Sequence, residues 1–253
     1  MHPKGIAGNV QTQAKRQGPG PEQRCIMVIG AHAADAEIMG GAAVLKHVDA
    51  GWRAVLVHAT PGEKGHRTLS PEEYARVKEQ EARRAAELLG ASYVMLPYGD
   101  GELPVSEEVQ WRFADLIREH RPDVLITHWQ GSIHRDHRST SVNVGEALFF
   151  AGLPAFKRAH EAHRPSRVFY AENWEDPEGF KPEVYLDVSD VFDRYIEAIR
   201  AYGLFRGEVS RFPYEQWYRG CSEMRGAEAG FRRGVALMPR MGLLRRQPVE
   251  MLL

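Results

Sequence analysis

The sequence predicts an α/β fold in which helices cover both faces of a parallel sheet. Two observations support this fold class. Short apolar segments alternate four times with segments of helical periodicity, and 253 residues are enough for one large α/β domain. The composition, with 43% hydrophobic and 26% charged residues, is that of an ordinary soluble globular protein. We therefore expect a single domain over residues 25–253, preceded by a flexible tail over residues 1–24, which show no periodicity.

The predicted strands are short apolar runs, which are typical of strands buried in a parallel sheet. They lie at residues 25–30, 52–59, 93–96 and 124–127, with two further strands at 167–171 and 184–188. Because the connections between the first four are helical, we expect these strands to run in the same direction.

The predicted helices occupy residues 35–50, 70–89 and 106–121, a segment from about 139, and residues 190–202. The second helix has the clearest limits, because Ser70, Pro71 and Glu73 match a capping box and Gly90 is of the type that ends helices. The last 50 or so residues are weakly patterned. We expect the C-terminal third to add a strand pair, helices and subunit contacts.

The charge and composition argue against several classes of protein. Lys and Arg total 33 against 34 Asp and Glu, so there is no basic excess with which to bind a nucleic acid. No apolar stretch approaches the roughly 18 residues of a membrane span, and the N-terminus lacks the apolar region of a secretory signal. Two cysteines cannot form a disulfide framework. We expect a cytoplasmic protein that binds neither nucleic acid nor membrane.

Two predicted loops carry histidine together with aspartate, and both follow the carboxyl ends of strands. His32 and Asp35 come after the first strand, and His137 comes after the fourth. Ligands of parallel sheets bind at this end of the strands. If the two strands are neighbours, two imidazoles and one carboxylate with an open position make a catalytic zinc site. The spacing also fits a simpler interpretation, in which Asp35 caps a helix and the histidines lie in an ordinary surface loop.

Four motifs in order carry a resemblance to a known family. Ala31–Glu37 matches the pattern Ala-His-Pro-Asp-Asp-x-Glu except at the Pro and the first Asp, and His134–His137 matches His-Pro-Asp-His except at the Pro. Pro61–Gly65 and Tyr98–Leu103 resemble the loops that follow strands two and three. From about residue 26 to 151, the chain resembles the LmbE-like, or PIG-L, family of zinc-dependent N-acetylglucosaminyl deacetylases. The resemblance implies a Rossmann-like three-layer sandwich with a mostly parallel sheet.

The resemblance also implies a metal centre with a role for each of its residues. His32, Asp35 and His137 would bind Zn²⁺, although Fe²⁺ uses the same ligands. His134 would be the catalytic electrophile that stabilises a tetrahedral oxyanion. Asp136 would belong to the catalytic group by orienting a neighbouring histidine.

The implied substrate is a small molecule, an N-acetylated or similarly acylated amino sugar or its conjugate. The residues predicted to bind it are Lys78, Asp100, Glu63 and His66. Lys78 occupies the position of a substrate-binding arginine of the family, Asp100 would contact a sugar hydroxyl, and His66 either binds substrate near the mouth or faces water. His58 is expected to pack in the core. Related enzymes often assemble, so a homo-oligomer is expected.

Departures from the family pattern leave more than one function open. The general-base Asp of the family is Ala34 here, and loss of a positioned base typically removes ~10²–10⁴ in rate. In one interpretation the hydrolysis uses another base, for which Glu37, Glu63 and Asp136 are candidates. In a second interpretation the chain binds ligand without catalysis.

A third interpretation is a different reaction. The 4-oxalomesaconate hydratases resemble the family and also carry Ala in place of the first Asp, within a His-Ser-Ala-Asp motif. The chain would then be a zinc-dependent hydratase of an unsaturated carboxylic acid. Lys78, Arg67 and Arg135, the last of which replaces the Pro of the second motif, would bind carboxylates in that reaction; otherwise they are simply solvated.

Overall fold

The computed structural model describes residues 23–176 and 178–240, and within them a seven-stranded sheet lies between two layers of helices. The strands are β1 (Cys25–His32), β2 (Arg53–Thr60), β3 (Ser92–Met95), β4 (Val124–His128), β5 (Arg167–Ala171), β6 (Val184–Asp187) and β7 (Gly234–Pro239). The helices are α1 (Asp35–Asp49), α2 (Pro71–Leu89), α3 (Glu107–His120), α4 (Arg135–Ala151), α5 (Phe192–Ile199) and α6 (Tyr214–Ala229).

The strand order β3-β2-β1-β4-β5-β7-β6 confirms the α/β fold with a mostly parallel sheet. The first five strands in this order pair in parallel, whereas β7 runs antiparallel to both β5 and β6. The chain order reverses between β1 and β4. These two strands are direct neighbours, as the predicted metal site requires.

Each face of the sheet buries an apolar core of its own. One core packs α1, α2 and α5 on the sheet and includes Leu45, Ala86 and Ile196. The other packs α3 and α4 and includes Phe113 and Leu148. Helices therefore cover both faces, which explains why the central strands are apolar over most of their length. The predicted three-layer sandwich is confirmed.

Helix α2 begins and ends as the sequence predicts. Ser70 Oγ accepts the Glu73 N–H at 3.2 Å, and the Ser70 N–H donates to the Glu73 carboxylate at 2.9 Å, which completes the capping box. Pro71 takes the first helical position, where its missing N–H costs nothing. Gly90 ends the helix with a φ of 67°, a conformation that glycine adopts without strain.

The predicted start of α4 at about residue 139 is wrong. The helix begins at Arg135, because the His134 side chain acts as its N-cap and accepts the Asp136 N–H. Asp136 and His137 therefore lie on the first helical turn and not in a loop. Histidine is an unusual cap, and sequence propensity favours Ser, Thr, Asp or Asn.

The C-terminal part is more regular than its weak pattern predicts, since it contains α6 and β7. After α6 the chain turns back and packs against Gly226. A Cβ at this position would lie 2.7 Å from the carbonyl oxygen of Phe231, so a glycine is needed here although glycine disfavours helices. Most of the predicted N-terminal tail, residues 1–22, lies outside the described residues. Within the described part, none of the helices has the length and apolar character needed to span a membrane.

Candidate metal centre

The predicted metal ligands lie at the carboxyl edge of the sheet, where β1 and β4 are neighbours. β1 ends at His32 and α1 begins at Asp35, so only two residues form the turn between them. Ala34 has a φ of 98° in this turn, a conformation that costs a non-glycine residue about 1–3 kcal/mol. The Asp35 carboxylate closes the turn by accepting the His32 N–H at 2.8 Å.

The three predicted ligands converge on one carboxylate oxygen. Asp35 Oδ2 lies 3.0 Å from His32 Nδ1 and 3.2 Å from His137 Nε2. The ring centroids of His32 and His137 are 5.2 Å apart. The fold thus brings two imidazoles and a carboxylate from two distant parts of the chain to a single buried point.

A fourth side chain, His128 at the end of β4, also contacts this point, and the sequence analysis missed it. His128 Nε2 lies 3.4 Å from Asp35 Oδ2, and its ring stacks on that of His137 with centroids 3.9 Å apart. The same nitrogen accepts the Ala31 N–H at 3.0 Å, which engages the lone pair that a metal ion would need. The geometry therefore favours His128 as a buried wall of the site over a ligand.

The charges around these residues favour a cation. Burial disfavours the Asp35 carboxylate, but His137 and His32 outweigh burial and hold its pKa well below the usual range. Burial disfavours a charged His32, but Asp35, Asp100 and Asp136 raise its pKa well above the usual value. Burial lowers the pKa of His137 to about 4. The carboxylates that favour a proton on His32 would equally favour a metal ion.

His134 lies beside the two histidine ligands. Its ring centroid is 4.5 Å from that of His32 and 4.8 Å from that of His137. Burial, together with these two rings, lowers the pKa of His134 and favours the neutral form. Because its Nδ1 accepts the Asp136 N–H at 3.2 Å, the single ring proton lies on Nε2. The arrangement can therefore supply a neutral N–H donor next to the metal-binding point.

Two carboxylates lie on the other side of the His32 ring. Asp136 Oδ2 and Asp100 Oδ1 are each 3.2 Å from His32 Nε2. Asp136 Oδ2 also accepts the Gly101 N–H at 2.6 Å, and Glu63 accepts the Asp100 N–H at 2.9 Å. Asp136 is thus placed to orient a histidine, and the predicted substrate residues Asp100 and Glu63 are already bound to each other and to the centre.

Lys78 reaches the centre from α2. A Cβ at Gly62 would lie 3.1 Å from His32 Cβ and 3.7 Å from Lys78 Cε, so only the Gly62 backbone separates the two side chains. Lys78 Nζ lies 4.7 Å from the ring centroid of Tyr202 and 5.9 Å from that of Tyr74. Within the described parts of the chain, Lys78 forms no hydrogen bond or ion pair. Burial lowers its pKa.

Three other residues considered from sequence are not drawn into the centre. His66 Nδ1 accepts the N–H groups of Thr68 and Leu69, at 3.2 and 2.9 Å, and so organises its own loop. Arg67 and Arg135 are exposed. As far as the structure describes the chain, no hydrogen bond or ion pair joins these three side chains to the predicted ligands.

Glu37, a candidate for the missing base, lies beneath the centre. It is fully buried, accepts the Tyr202 hydroxyl at 2.8 Å and lies 3.4 Å from His58 Nε2. His58 is likewise fully buried, in the core position expected for it. The other candidate bases, Glu63 and Asp136, accept the backbone hydrogen bonds given above. Each candidate base therefore has a partner within the protein.

The loop after β5 contributes acidic residues that the sequence analysis did not consider. Glu175 Oε2 is 3.2 Å from His137 Nδ1, and Ser132 Oγ is 3.1 Å from the same nitrogen. Burial raises the pKa of Glu175 and of its neighbour Asp176 to about 7. The signal was present in the sequence, because a loop that follows a parallel strand next to β4 opens at the same edge of the sheet.

The donor set fits a divalent metal ion such as zinc. Three groups of side chains each bring their ligand atoms within 4.8 Å of one another: His32, His134 and His137; Asp35, His128 and His137; and His32, Asp100 and Asp136. All three predicted ligands occur in these groups, and His32 and His137 occur twice. Imidazole nitrogen combined with carboxylate oxygen suits Zn²⁺ and Fe²⁺.

Comparisons with known proteins give the family. The family model for PIG-L, described as GlcNAc-PI de-N-acetylase, matches residues 27–148. Over 206 residues the chain is 31% identical to the diacetylchitobiose deacetylase of Thermococcus kodakarensis, a match that covers 76% of this chain and 72% of that protein. The chain belongs to the PIG-L family. The resemblance drawn from the four motifs is thereby confirmed.

PIG-L relatives of this chain include hydratases as well as deacetylases. The chain is 28% identical over 188 residues to the 4-oxalmesaconate hydratase of Pseudomonas putida, covering 70% of this chain and 72% of that protein. The crystal structure of a 4-carboxy-2-hydroxymuconate hydratase from Pseudomonas putida has the same fold, with a TM-score of 0.80 over 91% of this chain and 100% of that chain, at 21% identity. Membership of the family supports an enzyme and leaves both reactions to be considered.

Proposed function

We propose that the chain is a zinc-dependent hydrolase that removes an N-acetyl, or similar acyl, group from an amino sugar or its conjugate. The observation that carries the proposal is the convergence of His32, Asp35 and His137 on one buried point, with His134 beside it. The relative at 31% identity is a deacetylase, which supports amide hydrolysis.

In this reaction the protein holds the ion, orients its ligands and stabilises developing charge. His32, Asp35 and His137 would hold the zinc ion, which when bound would lower the pKa of a water to about 7 and polarise a carbonyl. His134 donates its Nε2–H to the oxygen on which negative charge develops. Asp136 accepts the Nε2–H of His32 and so keeps Nδ1 directed at the metal-binding point.

Substrate binding is assigned first to Lys78. Its ammonium is buried beside His32 and has no acceptor among the described residues, so an oxygen of the substrate completes its contacts. Asp100, Glu63 and His66 stay predicted substrate contacts.

Hydration of an unsaturated carboxylic acid is the second candidate function, and two observations favour it. Ala34 offers no carboxylate to act as a base next to the metal-binding point. Lys78 presents a buried amine with no hydrogen bond or ion pair in the described chain, although the charges of Glu81, Asp35, Glu37 and Asp100 act on it, and a substrate carboxylate could supply that contact. A hydratase at 28% identity adds support.

Activity assays on zinc-loaded protein separate the two reactions. With diacetylchitobiose and other N-acetylglucosamine conjugates we expect release of free amine that depends on zinc and is lost in His137→Ala. Loss of diene absorbance from an unsaturated diacid, without amine release, would instead establish hydration. Bound zinc with neither activity would contradict both enzymatic functions.

Restoring the base at position 34 sharpens this test. Asp tolerates positive φ better than most residues, so Ala34→Asp fits the turn. We expect a gain of about 10²–10⁴-fold in kcat for deacetylation, the usual contribution of a positioned base. Ala34→Asn is the matched control, because it has a similar size and no basic carboxylate. Equal rates for the two variants would contradict amide hydrolysis in this pocket.

A further inference from the structure

The two ring nitrogens of His137 contact different partners, on opposite sides of the ring. Nε2 lies 3.2 Å from Asp35 Oδ2, at the metal-binding point. Nδ1 lies 3.2 Å from Glu175 Oε2 and 3.1 Å from Ser132 Oγ. The imidazole therefore connects a carboxylate outside the centre to the point where an ion would bind.

Glu175 is held at this position by its own backbone. Its carbonyl accepts the Ile133 N–H at 2.8 Å, and its N–H donates to Asn173 Oδ1 at 3.3 Å. The same amide oxygen of Asn173 accepts the Tyr218 hydroxyl from α6 at 3.3 Å. The loop after β5 is thus tied both to the loop that precedes α4 and to α6, so the carboxylate has a defined place beside His137.

The proton on His137 decides whether the ring can bind a metal ion. A neutral imidazole carries one proton, and a lone pair on Nε2 requires that this proton lie on Nδ1. The hydroxyl of Ser132 can donate to Nδ1 or accept from it, so it does not select a tautomer. In its ionised form the carboxylate of Glu175 can only accept, and it then selects the form with the proton on Nδ1.

We propose that Glu175 is a positioning residue of the metal centre, whose carboxylate accepts the Nδ1–H of His137 and directs Nε2 at the ion. A carboxylate on the second nitrogen also makes the imidazole a stronger ligand. The inference rests on the proposed function, because it requires His137 to be a ligand. Glu175 lies beyond residues 27–148, the segment that the family model matches.

Zinc affinity of the full chain, measured by competition with a chelator, tests this role without an activity assay. We expect Glu175→Ala to weaken zinc binding about 10–100-fold, the usual effect of losing such a partner. Glu175→Gln, which keeps an acceptor but loses the charge, is expected to weaken it less. Glu178→Gln is the matched control, because Glu178 is an exposed carboxylate of the same loop, and its affinity should equal that of the wild type.

Two further measurements distinguish positioning from a general structural role. Nitrogen NMR of the zinc-loaded wild type should show His137 protonated on Nδ1. The metal-free Glu175→Ala variant should unfold at the same denaturant concentration as the metal-free wild type. Equal zinc affinity in the wild type and Glu175→Ala would overturn the role of Glu175 and leave the proposed function intact, whereas a wild type that binds no zinc would overturn both.

Discussion

Two buried cations of this chain are held in opposite ways. Arg118, on α3, is 2% exposed and donates all five of its N–H groups to backbone carbonyls. These carbonyls belong to Phe150, Ala151, Leu153, Phe156 and His160. Lys78, on α2, is 4% exposed and faces two tyrosine rings, with no acceptor in the described chain.

The difference separates a cation that supports the fold from one that awaits a ligand. A buried charge without hydrogen-bond acceptors costs free energy, so it is expected where a bound molecule completes its contacts. Arg118 has no donor left for a ligand, and its acceptors lie at and beyond the end of α4. Lys78 retains its donors and lies beside His32. Burial alone would not distinguish the two side chains.

The largest expected effect comes from removing the internally satisfied cation. Arg118→Met removes all five hydrogen bonds. The carbonyls of Phe150, Ala151 and Leu153 keep a backbone N–H donor, whereas those of Phe156 and His160 keep none among the described residues. An unsatisfied buried group costs about 1–3 kcal/mol. We expect the free energy of unfolding in urea to fall by about 3 kcal/mol, since two carbonyls lose their donor and three more lose one of two. Zinc affinity of the folded variant should not change. Arg112→Met, an exposed arginine on the same helix, is the control and should change the stability by less than about 0.5 kcal/mol.

Removing the second cation should affect binding and leave stability intact. Lys78→Met replaces a desolvated charge by an apolar chain, so we expect an unchanged or raised free energy of unfolding. Loss of a charge-assisted hydrogen bond of ~1.5–3 kcal/mol should raise KM about 10–100-fold, with a smaller change in kcat. Lys78→Arg keeps the cation and is the control in steady-state kinetics. A strongly destabilised variant with an unchanged KM would make Lys78 a structural cation like Arg118.

The smallest expected effect tests whether substrate binding by Lys78 depends on the stability of helix α2. Ser70→Ala removes the cap of α2 and should lower the free energy of unfolding by about 1 kcal/mol with no change in KM. Ser106→Ala, at the start of α3, removes a cap that accepts the Val109 N–H at 3.4 Å and serves for comparison. A raised KM in Ser70→Ala would show that substrate binding responds to helix stability and not to Lys78 itself.

Local patterns predicted much of the fold because their causes are local. The capping box at Ser70 and the stop at Gly90 involve contacts within one turn, and both are found as predicted. The start of α4 was wrong because a histidine side chain replaced the usual cap. A strand pair was expected in the C-terminal third and is formed by β6 and β7, but the position of β7 was not assigned, because its partners lie far away in the chain and no local pattern encodes that pairing.

In the candidate site, too, the residues in local motifs were predicted and those that depend on distant contacts were not. His32, Asp35 and His137 were recognised because they follow strand ends in motifs with fixed spacing, and the fold brings them together. Glu175 was missed because it belongs to no such motif. The preceding strand places its loop at this edge of the sheet, but the contact with His137 also depends on the hydrogen bond with Ile133, which only the folded chain brings close.

The insertion of β7 between β5 and β6 has a consequence for the order of assembly during synthesis. In the described sheet β6 pairs only with β7, so β6 leaves the ribosome about 50 residues before its partner, a long separation for contacts that must close a sheet. The segment between β5 and β6, which carries Glu175, can be anchored at both ends only after Pro239 has emerged. The residues of the metal centre on β1, α1 and α4 are all made by then, whereas the segment that carries Glu175 gains its second sheet anchor only when β7 is made.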